Sequence, residues 1–347
     1  MKLKPRSRLR IIVLLHEDLR PPETLEGVDD KETQPWRTEY DVISTLRKLG
    51  HDVHPCGLRS DLSVVGKALE EQKPHLAFNL LEEFHGQALY DQHVVSYLEL
   101  MKQSYSGCNP RGLTLAHDKA LTKKILSYHR IALPSFAVFP MGKKIVRPRH
   151  LKFPLFVKSI TEDASSGISR GSVVHDDEKL AERVKFIHEQ TQSHAMAEQY
   201  IEGREIYVSV MGNRKLQTYA PWELIMKNLP EGAPNIATSK VKWDKNYQRK
   251  VGLVTQAAEL SPEQQRDVQH LSKRIYRLLS LSGYARLDYR MTDSGRFYLL
   301  EANPNPQIAK NEDFADSVAH AGSSYDQLLQ KIITLGLSYD PTTYLVH

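Results

Sequence analysis

The sequence predicts an α/β protein that begins with an open parallel sheet. Over roughly the first hundred residues, short aliphatic segments alternate with amphipathic segments of helical spacing, an order typical of parallel sheets. At 347 residues the chain is long enough for two or three domains with substantial cores. The composition, 40% hydrophobic and 26% charged, is ordinary for a soluble protein.

The amino-terminal part contains three predicted strands and the helices between them. The strands cover residues 9–15, 51–56 and 75–80, and the helices cover residues 36–49, 62–71 and 89–101. Residues 18–34 form a long irregular segment, which in a compact domain is often functional. The glycine fingerprint of dinucleotide-binding folds does not follow the first strand. An ordinary dinucleotide fold is therefore disfavoured.

The remaining elements alternate less regularly. Helices are predicted over residues 118–128, 176–191, 262–282 and 323–337, and strands over residues 153–159, 195–200, 205–211 and 216–225. Asp118 can cap the first of these helices. Residues 228–238 are predicted to form a loop, and residues 338–347 a loose tail.

A predicted hairpin over residues 283–306 organises the carboxyl-terminal half. Two alternating runs flank an Asp-Ser-Gly-Arg segment, which predicts a tight turn of two residues. In that register four polar side chains share one face, with Arg286 opposite Asn303 and Asp288 opposite Glu301. The other face, which supplies the burial, carries Leu287, Tyr289, Tyr298, Leu300 and Ala302.

This polar face has two interpretations that the hairpin sequence leaves open. Two carboxylates and an amide are hard oxygen ligands of the kind that suits Mg²⁺. A solvated face with an arginine–carboxylate pair across the strands would explain the same residues. A three-residue turn would also shift the register and separate the two acids.

One lysine lies in an otherwise apolar predicted strand. Lys158, in the segment FPLFVKS, is either an edge residue whose ammonium reaches water or a fixed cation for an anionic ligand. A small polar loop follows, and it contains Ser165, Ser166 and Gly167. Loops of this composition can wrap phosphates with backbone N–H groups and hydroxyls. Together the two features favour the anion-binding interpretation.

Composition argues against several classes of protein. The longest aliphatic run near the start, Ile11 to Leu15, is too short for a signal-peptide core or a membrane span. Two cysteines provide neither a disulfide framework nor a zinc pattern, so a reducing cytoplasm is expected. The net charge of +5 comes partly from an amino-terminal basic segment without interleaved aromatic residues. That segment is interpreted as a solubilising tail and not as a nucleic-acid-binding arm.

In order and spacing, the motifs of the chain resemble those of the ATP-grasp superfamily, and within it the D-alanine–D-alanine ligase-like branch. The motifs are Asp118-Lys119 with Lys123, FVKS with the Ser-Ser-Gly loop, AEQYIEGRE, VKWD, RLDYR and LLEANPNP. The resemblance covers roughly residues 9–337. It implies an amino-terminal α/β domain over residues 1–115, followed by a two-lobed ATP-grasp fold with a small lobe over 116–200 and a carboxyl-terminal lobe over 201–337.

The resemblance implies a nucleotide site assembled from several segments. Lys119 and Lys158 would contact the ATP phosphates, beneath a lid loop that contains Ser165 and Ser166. Glu198 would accept from the adenine amino group. The base and the ribose would be held by the next residues of the AEQYIEGRE motif, namely Gln199, Tyr200 and Ile201 for the base and Glu205 for the ribose.

It also implies a cluster around the reacting groups. Arg286 would stabilise developing charge on the acyl centre. Lys242 would lie near the γ-phosphate, although Lys240 is a nearby competitor. Two Mg²⁺ ions, or Mn²⁺ ions in their place, would be bound by Asp288, Glu301 and Asn303.

The substrate half of the chain departs from the pattern of true D-alanyl ligases. True D-alanyl ligases have a glycine-rich loop that contains an acid after the first strand, and this chain lacks that loop. The serine expected for the second D-alanine is not evident, because residues 311–314 read Asn-Glu-Asp-Phe. His85 matches the family's substrate-side histidine only loosely. The nucleotide half therefore resembles the family more closely than the substrate half does.

The sequence thus predicts a cytoplasmic ATP-dependent carboxylate–amine ligase that acts through an acyl phosphate on amino acid or peptide substrates, without specificity for D-alanine. A nucleotide-binding regulatory protein without turnover is one alternative, although retention of every apparent metal ligand argues against it. A kinase that stops at phosphoryl transfer is another. No nucleic acid or membrane partner is expected, and the family would suggest a homodimer formed through the first domain.

Overall fold

The structure is a computed structural model that describes residues 8–25, 33–161, 168–230, 234–238, 240–241 and 244–343. The described strands form three sheets. In chain order they are β1 Arg10–His16, β2 Asp52–Leu58, β3 Leu76–Asn79, β4 Phe136–Phe139, β5 Leu155–Ser159, β6 Val173–Val174, β7 Ala195–Gln199, β8 Arg204–Met211, β9 Gln217–Thr218, β10 Trp222–Met226, β11 Leu253–Ala257, β12 Tyr284–Met291 and β13 Phe297–Pro304.

Helices lie on the faces of these sheets. In chain order they are α1 Arg37–Lys48, α2 Ser63–Gln72, α3 Asp91–Leu100, α4 Pro110–His117, α5 Lys119–Tyr128, α6 Asp177–Thr191, α7 Lys245–Val251, α8 Pro262–Leu278, α9 Asp313–His320 and α10 Tyr325–Ser338. Short 3₁₀ turns cover Glu17–Leu19, Gln34–Trp36, Ala88–Tyr90, Arg170–Ser172 and Pro341–Thr343. Within the described ranges, no helix combines the length and the apolar character needed to cross a bilayer.

The first sheet is the parallel sheet that the sequence predicts. Its strand order is β2-β1-β3, and both pairings are parallel. Residues Ile11 to Leu15 of β1 are completely buried, as expected for a central strand covered on both faces. The carboxyl ends of the three strands meet at one edge, where the backbone N–H of His85 donates to the carbonyl of Arg59 over 2.7 Å. In open α/β sheets this edge is the usual place for a ligand.

The core around the first sheet uses both ends of the chain. The carboxyl-terminal helix α10 packs against β3 and α1. A single buried cluster contains Ile11, Leu46, Phe314, Leu329 and Ile333. The packing thus joins elements that lie far apart in sequence, while the domain boundaries predicted from the sequence stay predictions.

The second sheet is antiparallel, with the order β4-β7-β5-β6. Helix α6 packs on one of its faces and covers Leu155, Val157 and Ala197. Because side chains alternate along a strand, the residues between these point away from α6. Lys158 of β5 and Glu198 of β7 lie on that second face, and both are buried.

The third sheet is also antiparallel, with the order β11-β10-β8-β12-β13 and with β9 attached to β8. Helix α8 packs on one face, where Val268 and Ile275 join Ile206 and Leu287 in the core. On the opposite face β8 and β12 form three polar cross-strand pairs, which are Glu205 with Arg290, Tyr207 with Asp288, and Ser209 with Arg286.

The turn between β12 and β13 differs from the predicted one. The backbone N–H of Thr292 donates to the carbonyl of Arg296 over 3.0 Å, so residues 293–295 form a three-residue turn and the predicted two-residue turn is wrong. Gly295 has a φ of +80°, the left-handed conformation that such turns assign to glycine. By itself this longer turn would shift the pairing by one residue and move the acids to opposite faces.

A β-bulge reverses that shift within the hairpin. Leu300 is the extra residue on β13, opposite no residue of β12. The register is Tyr289 with Leu299 on the turn side of the bulge, and Asp288 with Glu301 and Arg286 with Asn303 beyond it. The predicted pairing of the four polar residues is therefore confirmed, although two irregularities that cancel produce it.

The bulge also changes which residues of β13 are buried. Phe297 and Leu299 pack into the core, whereas Tyr298 and Leu300 are only half-buried. The prediction that Tyr298 and Leu300 supply burial is wrong. The part of β13 between the turn and the bulge is shifted by one residue relative to the predicted register. The rest of the predicted apolar face is confirmed and consists of Leu287, Tyr289 and Ala302.

Several described elements have no counterpart among the sequence predictions, among them α4, α7, α9, β6 and β11. For α4 the local signal is present, since the Asn109 side chain accepts from the N–H of Gly112 and Pro110 occupies the first helical position. The strand predicted over residues 216–225 is divided into β9 and β10. Pro221 lies between the two parts and has no N–H for the ladder.

Candidate active site

Two lysines and one glutamate form a buried ionic cluster between α5 and the second sheet. Glu198 is 3% exposed, and its two carboxylate oxygens lie 2.9 Å from Nζ of Lys123 and 2.9 Å from Nζ of Lys158. Lys158 reaches Glu198 because both lie on the face of the sheet away from α6. Asp118 caps α5 by accepting from the N–H of Leu121 over 2.9 Å, which fixes the start of the helix that carries Lys123.

This cluster contains more positive than negative charge. Burial alone would raise the pKa of the Glu198 carboxyl, but the ammonium groups of Lys123 and Lys158 outweigh burial and lower that pKa below its ordinary value. Burial lowers the pKa of the Lys123 ammonium, against the attraction of Glu198. Two ammonium groups beside one carboxylate suit an anionic ligand.

Lys119 adjoins the same cluster. Its backbone N–H donates to the carbonyl of Ile160 over 3.3 Å, two residues beyond Lys158, and its side chain is buried. The sequence interpretation assigned phosphate contacts to Lys119 and Lys158 but gave Lys123 no role. The available signal was spacing, because Lys123 follows Lys119 by four residues and so lies on the same side of α5.

The segment that links the second and third sheets contains Gln199, Tyr200 and Ile201. The backbone N–H of Gln199 donates to Ser135 over 2.8 Å, and that of Tyr200 donates to Pro154 over 3.0 Å. These two N–H groups therefore hold the segment to the second sheet. A nucleotide base at this linker would have to use its other backbone groups and its apolar surface.

Glu205 begins the polar face of the third sheet and is almost completely buried. One carboxylate oxygen accepts from Nη2 of Arg290 over 2.9 Å, and the other accepts from the hydroxyl of Tyr207 over 2.7 Å. Arg204, the neighbour of Glu205 along the chain, pairs instead with Glu223. Arg290 and Tyr207 have no role in the sequence interpretation.

The hairpin face continues this polar surface. Arg286 donates from Nε and Nη2 to the two carboxylate oxygens of Asp288, each over 2.8 Å. The side-chain amide of Asn303 donates to Asp288 over 2.9 Å, and Nη1 of Arg286 lies 3.9 Å from a carboxylate oxygen of Asp313. The cation that pairs with Asp288 is thus Arg286 of the same strand. It is not an arginine across the strands, as the interpretation without a metal expects.

The donor types on this face still fit a magnesium ion. Asp288, Glu301 and Asn303 supply two carboxylates and an amide, the oxygen ligands that Mg²⁺ prefers. No group of three His, Cys, Asp or Glu residues that could hold a metal occurs in the part of the chain that the structure describes. A metal at the hairpin would therefore depend on the amide oxygen of Asn303 and on groups from a bound ligand.

The lysine cluster and the hairpin face approach each other. Glu301 acts on Lys123 electrostatically and opposes the lowering of the pKa of its ammonium. The packing agrees, since the backbone N–H of Leu299 on β13 donates to the carbonyl of Ala132, just after α5, over 3.1 Å, and Leu126 of α5 lies in the same buried cluster as Leu299. A site with anion-binding lysines on one side and hard oxygen ligands on the other follows from this arrangement.

Three of the predicted site residues, Ser165, Ser166 and Lys242, lie outside the described residues. Lys240 is described and is exposed. His85 is exposed at the carboxyl edge of the first sheet, with a φ of +57°.

Comparison with known proteins identifies the family. A family model described as D-ala D-ala ligase C-terminus matches residues 131–334, which is more than half of the chain. The chain belongs to this family. Members of this family are ATP-dependent ligases that form amide bonds, so the chain is an ATP-grasp enzyme of the carbon–nitrogen ligase class, and the predicted resemblance and fold class are confirmed.

Individual relatives cover nearly the whole chain. A D-alanine–D-alanine ligase of Syntrophotalea carbinolica is 30% identical, over 86% of this chain and 89% of the relative. An uncharacterised protein of Sinorhizobium fredii is 28% identical, over 86% of this chain and 88% of that protein. The solved structure of a D-alanine–D-alanine ligase from Bacillus anthracis, complexed with ATP, has a TM-score of 0.73 at 24% identity and covers 95% of this chain and 97% of that chain. At this identity, the similarity to the solved structure shows a shared fold.

Proposed function

We propose that this ligase family member joins a carboxylate to an amine on small amino acid or peptide substrates, with ATP and Mg²⁺ and through an acyl phosphate. The observation that carries the proposal is the packing of the hairpin, which carries Glu301, against α5, which carries Lys123 of the Lys123–Glu198–Lys158 cluster. It joins a surface suited to phosphate with a surface suited to a divalent cation. Such a pairing is what phosphoryl transfer from a nucleotide needs.

The lysine cluster would hold the phosphate end of ATP. Lys119 and Lys158 would bind the phosphates, and Lys123 would keep Glu198 ionised and in place. Glu198 would accept from the adenine amino group, with the linker of Gln199, Tyr200 and Ile201 against the base. Glu205 would accept from the ribose hydroxyls. Ser165, Ser166 and Lys242 would complete the phosphate contacts.

The hairpin face would hold the reacting end. Asp288, Glu301 and Asn303 would ligate Mg²⁺, which neutralises phosphate charge when it is bound. Both oxygens of Asp288 accept from Arg286 in the structure, so a metal ion and the guanidinium compete for the same carboxylate. Arg286, once released from Asp288, has donors for the acyl group of the substrate.

The chemistry would proceed in two displacements. An oxygen of the substrate carboxylate attacks the γ-phosphorus of ATP, the bond to ADP breaks, and an acyl phosphate forms. The amine then attacks the acyl carbon, phosphate leaves, and the nitrogen loses a proton as the amide forms. Holding the two substrates in line supplies part of the rate enhancement, and the positive charge of Arg286 stabilises the oxyanion.

The substrate side supports a specificity other than D-alanine. Asp313 approaches Arg286 in the region where the family's second substrate would lie, and residues 311–314 provide no serine there. A carboxylate at this position would repel the carboxylate of a second amino acid. The cytoplasmic location and the homodimer expected from the sequence stay predictions.

The experiment that tests this function measures phosphate release from ATP and Mg²⁺ with pools of L-amino acids, D-amino acids and short peptides. Mass spectrometry of the products identifies any new amide. Pool-dependent phosphate release with an amide of matching mass would establish the ligase and its substrate class. ADP formation with a stable phosphorylated product and no amide would contradict the proposal and indicate a kinase.

A further inference from the structure

We propose that Tyr207 and Arg290 are positioning residues that hold Glu205 as the acceptor for the ribose hydroxyls of the nucleotide. The proposal rests on the proposed function, in which Glu205 is the ribose ligand. It assigns to Tyr207 a second role through its ring, which supports Arg286 and thereby connects the ribose end of the site with the reacting end.

The register of two strands brings these side chains together. Glu205 of β8 lies directly opposite Arg290 of β12, and two residues further along Tyr207 lies opposite Asp288. Because the strand period is two residues, all four side chains are on the same face of the sheet. They also lie on the face away from α8, where the nucleotide would bind.

Arg290 neutralises and orients the carboxylate of Glu205. It is 4% exposed, and it donates to a Glu205 oxygen over 2.9 Å and to the carbonyl of Gly203 over 3.1 Å. Two contacts from one planar guanidinium fix its direction. An ionised glutamate that is 6% exposed would be costly without such a partner.

Tyr207 fixes the other oxygen of Glu205. Its hydroxyl lies 2.7 Å from that oxygen. Burial first, and then the negative charges of Glu205 and Asp288, raise the pKa of the Tyr207 hydroxyl well above its ordinary value. The hydroxyl therefore keeps its proton and donates, since an ionised carboxylate can only accept. Each oxygen of Glu205 then holds one donor and retains a lone pair for a ribose hydroxyl.

The ring of Tyr207 contacts the reacting end of the site. The guanidinium carbon of Arg286 lies 4.4 Å from the centroid of that ring, a cation–π contact. Arg286 in turn holds both oxygens of Asp288. The hydroxyl of Tyr207 thus acts on Glu205, and its ring acts on Arg286. Substitutions can separate these two effects.

The test measures equilibrium binding of ATP, 2′-deoxyATP and 3′-deoxyATP to the full-length protein, with Mg²⁺ titrated, so that no acceptor substrate has to be known. In Tyr207→Phe the preference for ATP over the two analogues should fall by between about threefold and tenfold, the range expected when one ordinary hydrogen bond that orients the acceptor is lost. The analogue affinities and the Mg²⁺ concentration for half-maximal binding should not change, because the ring remains.

In Tyr207→Leu the same loss of preference should come with a lowered Mg²⁺ requirement, because a guanidinium that has lost its ring contact competes less well with the metal ion for Asp288. Arg290→Lys should lower the preference as Tyr207→Phe does. Tyr289→Phe is the matched control, since its hydroxyl bonds Ser272 on the opposite face of the same strand. The preference is a ratio within one variant, so a partial loss of folded protein does not move it.

Glu205→Gln separates the inference from the proposed function. If Glu205→Gln loses the preference and Tyr207→Phe keeps it, the positioning role is overturned while the ribose assignment stands. If Glu205→Gln itself keeps the preference, the ribose assignment fails and the inference fails with it. Loss of the preference in both variants, with the control unchanged, supports the inference.

Discussion

The environment of Lys158 is determined by its position in strand β5. The alternation of β5 turns Lys158 away from α6 and toward Glu198, in a strand whose other residues are almost all apolar. The ammonium therefore cannot reach bulk water and instead lies 2.9 Å from a buried carboxylate. Lys123 shares that carboxylate, so two cations lie beside one buried acid, as suits an anionic ligand.

Replacing Lys158 should weaken nucleotide binding and leave the fold intact. Lys158→Ala should reduce ATP affinity at least tenfold, since a hydrogen bond to a charged group contributes about 1.5–3 kcal/mol. Glu198 would keep Lys123 as its partner, so the cluster would not contain an unpaired buried charge. The measurement is calorimetric ATP titration, with Lys152→Ala, an exposed lysine just before the same strand, as the control. An unchanged ATP affinity would remove Lys158 from the site.

Among single elements, the β12–β13 hairpin decides where the acids lie. Its three-residue turn and its bulge at Leu300 each shift the register by one residue, in opposite senses. Asp288 and Glu301 therefore face each other, and Phe297 and Leu299 replace the expected neighbours in the core. The same hairpin can thus bury one face and present the proposed metal ligands on the other.

The metal assignment predicts a specific loss at Glu301. Glu301→Gln should abolish Mg²⁺-dependent ATP turnover, because one of the two carboxylates of the ligand set becomes neutral. Its half-buried position predicts only a small change in the free energy of unfolding. Phosphate release and ATP binding would be measured across a Mg²⁺ titration, with EDTA as the metal-free reference.

The control for this variant lies on the same hairpin. Asp293→Asn removes an exposed carboxylate from the turn and should leave turnover and the Mg²⁺ requirement as in the unmodified protein. Full activity in Glu301→Gln, or an equal loss in Asp293→Asn, would be inconsistent with a metal site built from Asp288, Glu301 and Asn303.

At the scale of the whole molecule, the two ends of the chain share a core. Helix α10 packs on β3 and α1, and Leu329 lies in the cluster that also contains Ile11 of the first strand. The carboxyl-terminal helix therefore stabilises the sheet whose edge would bind substrate. Elements that a linear division assigns to different lobes are expected to unfold together.

Shortening one buried side chain of α10 tests this expectation. Leu329→Ala should lower the free energy of unfolding by about 2–5 kcal/mol, the usual cost of a cavity in a well-packed core. Thr334→Ala, an exposed position on the same helix, should change it by less than about 0.5 kcal/mol. Urea unfolding would be followed by both far-ultraviolet circular dichroism and tryptophan fluorescence. Separate transitions by the two probes, or a small effect of Leu329→Ala, would argue against a shared core.

Much of the element order could be predicted because local signals act over a few residues. Gly50 ends α1, Asp118 caps α5, and the continuous apolar run of β1 marks a buried strand. The sequence also predicted the polar pairs of the hairpin, but through a turn that the structure does not have. A bulge leaves no periodic signal, so the cancellation at Leu300 could not be anticipated.

The sequence by itself determined the family, the order of most strands and helices, and the residue types that gather in the site. Only the tertiary structure decided which charges from distant parts of the chain meet, as Lys123 with Glu198 and Arg290 with Glu205. The reason is physical, since periodicity and capping depend on neighbours along the chain. The choice of an ionic partner for a buried charge depends instead on register and packing between distant segments.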